Sequence, residues 1–470
     1  VVNPVAAQPP GRTPVRRTPD PAAWADLRAE VAGEVVLPGD PGYDAVRGAA
    51  DPRFRFARPR GVVRCAGPAD VRAALAFARR HRLTPHPRSG GHCRLGSSTG
   101  PGLVVDVSAL DAVEVDGDTA RVGAGARSGA VARVLADHGR MLPLGASPHA
   151  GIAGAALGGG MGAVGRRYGL TLDNLVGAEV VLADGRTVEC GPDSHTELLW
   201  ALRGAGAGNF GVVTRFTFRT YPAPRVHAFV LGWPLEHAAE VVSAWQSWAL
   251  TLPDRLSSQV AVRPAHGDAV VGGAWLGSAD EAAPLLARLS GAVGRPPAAT
   301  GTTTGGHPDA VDFLWERLAP APGPGGPCVF RRGDLLGRPL PPEAVGPMVR
   351  RIAGGPPAAG VPFLTIVHLG GACGGDPATA WAHRACLFDV RYSAAPAPGA
   401  GIADAVAARD WLAGVEAELR PWTSGGCAPD RPAATRADWA RSHYGDRLRR
   451  LRRAKDVYDP DRLFRRVQGL

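Results

Sequence analysis

Gly206-Ala-Gly-Asn-Phe-Gly211, running into Val212-Val-Thr214, has the glycine spacing of a dinucleotide-binding turn in a reversed setting. In a doubly wound sheet that turn follows a strand and opens a helix, so the helix N-terminus meets the phosphates. Here a helical pattern, Glu197–Leu202, comes first, and a β-branched strand, Val212–Thr220, comes after. A second match, Gly160–Gly165, follows a glycine-rich run and no strand. With 63 glycines in 470 residues, neither match specifies a Rossmann fold. What remains is a set of glycine-rich segments: Arg88-Ser-Gly-Gly-His92, Gly123-Ala-Gly125, Gly145–Gly162 and Gly204–Gly211. Loops of small residues let backbone N–H groups approach a pyrophosphate. Several of them, with an arginine heading the first, point to a long phosphate-bearing cofactor lying across the domain.

Around these loops the chain reads as short mixed elements. Pro68–Arg82 has a helical apolar face with proline at its start. Leu103–Val107 reads as a strand, and Asp111–Gly125 as a strand pair about an Asp116-Gly117 turn. Ala130–His138 is helical, and Val176–Leu182 with Thr187–Cys190 makes a hairpin. Beyond Arg225, strand-like runs (His227–Trp233, Val260–Arg263, Ala269–Leu276, Phe363–Leu369, Leu387–Tyr392) alternate with helices at Glu236–Leu250 and Ala403–Leu419. Leu448–Val457 is a last helix. The class is α+β, with a second region built as an antiparallel sheet backed by helices.

Composition limits the partners. The net charge is +10, yet Lys455 is the only lysine, so the arginines reflect a GC-rich coding sequence. From Arg441 to Leu470 there are ten basic and four acidic residues, read as a solvated helix face. No aromatics interleave with a basic stripe, so no nucleic-acid groove is expected. Seven cysteines without a CxxC pair predict neither zinc nor a disulfide framework, and no metal is expected. The uncharged stretch Met141–Val164 is too rich in glycine and proline for a membrane span. The first twenty residues, with five prolines, read as a disordered arm. The start at Val1 leaves room for a removed leader, so a cytoplasmic or a secreted bacterial location is expected.

Four segments together resemble a known family: Pro87-Arg-Ser-Gly-Gly-His92; Gly145-Ala-Ser-Pro-His-Ala-Gly-Ile-Ala-Gly154 with Leu157-Gly-Gly-Gly-Met-Gly162 and Arg167-Tyr-Gly-Leu-Thr-Leu-Asp-Asn174; Leu202–Thr214; and Tyr444-Gly-Asp446 with Tyr458-Asp-Pro460. The chain resembles the berberine bridge enzyme-like FAD-linked oxidases of the vanillyl-alcohol oxidase superfamily, which have a PCMH-type FAD-binding domain. The resemblance implies an N-terminal arm and short helix over 1–39 and an FAD-binding domain over 40–222. It places a substrate domain over 223–424, and a C-terminal segment, 425–470, returning to the FAD domain. FAD would be held by Arg88, Ser89, Gly90, Gly91 and His92; by Gly145, Ser147, Gly151, Gly154, Gly158, Gly159 and Gly162; and by Asn174, Gly211, Val213 and Tyr444.

In the family the histidine after the two glycines bonds to the flavin, so His92 is expected to carry FAD covalently. Relatives that add a cysteinyl link have cysteine where this chain has Ser147. A hydroxyl is a far weaker nucleophile than a thiolate, so attachment through His92 only is expected, with Cys93 no substitute. The family's tyrosine base is also absent, because the matching stretch is Ala428-Pro429-Asp430-Arg431. Period two puts Leu387, Asp389 and Arg391 on one strand face, making Asp389 and Arg391 substrate candidates; Tyr392 points away unless the strand is bulged. His149, His368, Trp245 and Trp248 read as structural.

The reaction implied is hydride transfer from a small organic substrate to the flavin, then reoxidation by O2. Without the tyrosine, a substrate whose protons leave easily, such as a hydroquinone, phenol or amine, is expected, and the resemblance to bacterial relatives implies a natural product, in antibiotic biosynthesis or resistance. A carbohydrate or alcohol oxidase with a different base is one alternative. A non-catalytic drug-binding flavoprotein is the other.

Overall fold

The computed structural model describes residues 19–318, 329–356, 360–375, 378–397, 399–430 and 437–470. The expected disordered arm falls largely, and the Pro/Gly-rich break at Ala319–Pro327 wholly, outside them.

The first half holds two sheets. One has the strand order Glu34–Val36, Gly61–Arg64, Leu103–Asp106, Pro85–Arg88, and its last three strands are parallel. The helix Pro68–Arg80 connects two of them and buries Val71, Leu75 and Ala78, the face read from the sequence. The other sheet is antiparallel, in the order Val113–Asp116, Thr119–Gly123, Gly211–Arg219, Leu175–Leu182, Thr187–Cys190. Gly117, at φ +57°, makes its expected turn. The helix Thr196–Ala205 leads into Gly211–Arg219 through a bend at Arg203 and Gly204, so the glycine run joins helix to strand, the reverse of a Rossmann turn.

The second half is a seven-stranded antiparallel sheet in the order Ala299–Gly305, Val226–Pro234, Asp268–Leu276, Leu256–Arg263, Val361–His368, Phe388–Ala395, Phe330–Leu336. Helices Ala238–Ala249, Pro342–Gly354 and Ile402–Leu419 cover one face. There Trp245, Phe388, Val390 and Tyr392 share an apolar core with Val345 and Leu412. The α+β class and the helix-backed sheet therefore stand.

Tyr444, Leu451 and Phe464 of the C-terminal segment pack into the core of the first half. Lys455, 1% exposed, pairs with Asp459 at 2.7 Å and donates to the carbonyls of Asn209 and Phe464. A buried ammonium is tolerated only with such partners, so the one lysine clamps the last helix to the Gly206–Gly211 loop. Arg166 joins the halves, donating to the carbonyls of Leu252, Pro253, Leu256 and Leu369. Among the described residues no helix is long and apolar enough to cross a membrane.

Candidate active site

The two halves close on a cavity of about 600 Å³. The strand Pro85–Arg88 runs out into Ser89-Gly90-Gly91-His92 at its edge. A Cβ on Gly90 would lie 2.5 Å from the Gly151 nitrogen, and one on Gly151 2.4 Å from Ser89 Oγ. The two loops therefore meet backbone to backbone only because both positions are glycine. Gly91 sits at φ +73°, a conformation side chains resist. The turn aims His92 into the cavity, where its ring is reachable from the open space although protein surrounds much of it. Burial holds the imidazole below its ordinary pKa, helped by the charges of Arg127 and His149, so at neutral pH the ring keeps a lone pair.

On the same wall the hydroxyls of Ser89, Ser97, Ser98 and Ser128 are buried without a hydrogen-bond partner among the described residues, and all four residues line the cavity. Each orphaned hydroxyl costs about 1–3 kcal/mol, so four together mark the place of a ligand rich in acceptors. Gly145, Ser147, Gly151, Gly154, Gly162, Gly211 and Val213 line the same space. The donors and the side-chain-free loops fit a pyrophosphate-bearing cofactor such as FAD.

Other expected contacts lie elsewhere. Arg88 borders the cavity, but its guanidinium is engaged by Asp106 and by the carbonyls of Val46 and Gly48. The Asn174 amide donates to the carbonyls of Tyr168 and Leu170 and accepts from the Tyr221 hydroxyl, so it braces a turn outside the cavity wall. Tyr444 is buried in the core and hydrogen-bonds Asn209. Gly158 and Gly159 face Asp430, whose Cβ would be 3.0 Å from a Cβ on Gly158.

The second wall is the free face of the seven-stranded sheet. Phe388–Ala395 pairs in unbroken register with both neighbours, setting Arg391 opposite Thr365 and Gly333, and Ser393 opposite Phe363 and Arg331. Alternation then turns Asp389, Arg391 and Ser393 toward the cavity side and Tyr392 toward the helices. Arg391 reaches the cavity; Asp389, 2% exposed, stays behind it and holds Arg391 Nε at 2.8 Å. Tyr392 is corrected as a catalytic candidate: the strand has no bulge, and the phenol donates to Asp334 at 2.6 Å within the helix-backed core. His149, read as structural, lines the cavity edge-on to Trp315.

Three lining residues were not singled out from the sequence: Arg94, Arg331 and Asp430. Burial raises the Asp430 carboxyl above the usual range, against the opposing pull of Arg94 and Arg391. Asp430 stands in the stretch that matches the family's tyrosine segment, two residues on from Ala428. The position was legible in the sequence, but it holds a carboxyl where the resemblance implies a phenol.

The fold and site define a protein built to hold a flavin nucleotide between two walls. An FAD binding domain model matches residues 59–191, and a berberine and berberine like model matches residues 418–470. An uncharacterized FAD-linked oxidoreductase, YgaK of Bacillus subtilis, is 31% identical over 460 residues, 94% of this chain and 98% of that protein. Among solved structures, 6-hydroxy-D-nicotine oxidase from Arthrobacter nicotinovorans is 27% identical, covering 93% of this chain and 97% of that one at a TM-score of 0.80. A chitooligosaccharide oxidase is 25% identical, covering 95% and 99% at a TM-score of 0.85. The chain belongs to the berberine bridge enzyme-like FAD-linked oxidases with a PCMH-type FAD-binding domain.

One expectation is overturned. A glucooligosaccharide oxidase from Acremonium strictum, 23% identical over 95% of this chain and 98% of that one with a TM-score of 0.83, is described as carrying a 6-S-cysteinyl, 8α-N1-histidyl FAD. Within this fold a histidyl link coexists with a cysteinyl one, so attachment through His92 alone does not follow from having the histidine. Serine at 147 removes only one candidate partner, and Cys93, dismissed from sequence, lines the cavity.

Proposed function

We propose that this FAD-linked oxidase acts on a hydroxyl-bearing small molecule, an alcohol or carbohydrate, with Asp430 as the base. The observation that carries this reading is a half-buried carboxyl on the cavity wall, held above its usual pKa by desolvation. Oxidising an alcohol requires that its hydroxyl proton be taken as the hydride leaves. The expectation of a hydroquinone-type substrate rested on the lack of a base, and Asp430 removes that ground. The names of the chitooligosaccharide and glucooligosaccharide oxidases favour the same substrate class.

FAD, when bound, accepts the hydride and passes the electron pair to O2, giving H2O2. The protein does the rest. Asp430 takes the hydroxyl proton at its carboxylate as the substrate becomes a carbonyl compound. Gly158 and Gly159 leave room for that carboxyl. The sheet face and the helix His307–Leu318, through Trp315, close the walls around the reacting carbon and restrict water. His92 is inferred to be one point of covalent attachment, since its loop delivers an uncharged imidazole.

Asp430→Asn tests the assignment. The variant should keep the wild-type flavin spectrum and lose roughly 10²–10⁴-fold in turnover of hydroxyl substrates, followed as O2 consumption across a panel of alcohols and sugars. Unchanged turnover would remove Asp430 from the chemistry.

A further inference from the structure

We propose that the sheet side of this cavity is an anion site, and that the substrate places a carboxylate there while its apolar body lies against the opposite end. This rests on the oxidase reading above and narrows its substrate class.

Arg94 enters the cavity from the loop after His92, and Arg331 from the edge strand of the sheet. Neither guanidinium makes a hydrogen bond or ion pair with any described residue, and the Nε of Arg331 is buried without a partner. The cations around them are already engaged: Arg53 by Asp51 at 2.6 Å, Arg332 by Glu416, Arg391 by Asp389. Asp430 faces Arg94 and Arg391 and supplies one negative charge. Burial, with Arg94 beside it, pushes Arg331 down to about 9.

Burying a guanidinium without a counter-ion is expensive, and a carboxylate that binds it through two parallel N–H···O bonds offsets that cost. At the other end of the same cavity Leu314 and Trp315, on the helix His307–Leu318 that packs by the strands Val226–Pro234 and Ala299–Gly305, give an apolar surface. Together these describe a hydroxy acid with an aromatic or similar body. The anion has a second conceivable source, the pyrophosphate of FAD. The orphaned serine hydroxyls and glycine loops that suit a pyrophosphate lie on the first half, whereas Arg331 belongs to the sheet and Arg94, though carried by a first-half loop, has its guanidinium beside Arg331 and Arg391.

The probes are benzoate and benzyl alcohol, a pair differing in charge. Each is titrated into the holoenzyme and read as a perturbation of the flavin absorbance and as a shift in melting temperature, the second readout needing no flavin. Benzoate should bind at least tenfold more tightly than benzyl alcohol, and the preference should weaken with added salt. Arg331→Met and Arg94→Met should abolish the preference with flavin content unchanged, and Arg331→Lys should keep part of it. Equal binding of both probes, or a preference that survives both methionine variants, overturns the proposal. Variants that lose flavin while retaining the benzoate preference assign the arginines to the cofactor, which also overturns it. A benzoate preference in a protein that oxidises no hydroxyl compound upholds the anion site and rejects the reading of the reaction.

Discussion

An imidazole is a nucleophile only while a ring nitrogen keeps its lone pair, and burial keeps His92 in that state. Intact mass under denaturing conditions should therefore show FAD retained by the chain, and peptide mapping should find it on the peptide containing His92. The same map decides whether a cysteine such as Cys93 carries a second bond. Flavin released on denaturation would reject covalent attachment. His92 and the glycines around it were legible in the sequence because their roles are local: a tight turn, a close loop crossing, a reactive ring at the end. Arg94, Arg331 and Asp430 were not, because positions far apart in the chain acquire a joint role only when the sheet is laid across the first half. Arg88 shows the converse. It heads the right loop, yet a buried carboxylate and two carbonyls engage it before any ligand does.

At the scale of elements, the register of Phe388–Ala395 separates a cavity-facing arginine from a core tyrosine one residue away. Tyr392→Phe should leave turnover within about twofold of wild type. It should lower stability by roughly 1–3 kcal/mol, because the buried Asp334 carboxyl loses a donor. Urea unfolding and steady-state rates measured together check both halves of this expectation; a large fall in turnover at unchanged stability would return Tyr392 to the active site. Alternation made the strand face readable from sequence, since period two needs only a start and no bulge. The strand Ala299–Gly305 was missed for a related reason. Its burial alternates only between exposed and half-buried, so threonine and glycine serve there and no apolar pattern marks it. The helices Ala279–Val293 and Pro342–Gly354, absent from the sequence reading, carry internal prolines, Pro284 and Pro347, which interrupt a helical sequence pattern.

Across the whole molecule, several buried histidines couple packing to pH. His307 begins the helix that meets Ser128–Asp137 of the first half, His368 stacks near Phe388, and His383 donates to the carbonyl of His443 in the C-terminal segment. Burial pushes them down to about 4, 3 and 4 respectively. In the unfolded chain each returns to about 6.5. Below that pH the unfolded state binds protons that the native state refuses, so stability is full above about 6.5 and falls as the pH drops toward 4. Each histidine contributes up to about 1.4 kcal/mol per pH unit in that window, and three give roughly 4 kcal/mol per unit near pH 5. Asp430 works in the opposite sense, since its raised carboxyl is protonated first in the native state, but it is one group against three. A typical stability is about 5–15 kcal/mol, so a protein at the lower end of that range should unfold within one to two pH units below 6. The urea midpoint measured at pH 7, 6, 5.5 and 5 should fall steadily. His368→Asn should flatten the slope by about one histidine's share, even where it lowers stability at pH 7. A midpoint independent of pH over this range would mean that these rings are hydrated, and that the packing around them is looser than the structure describes.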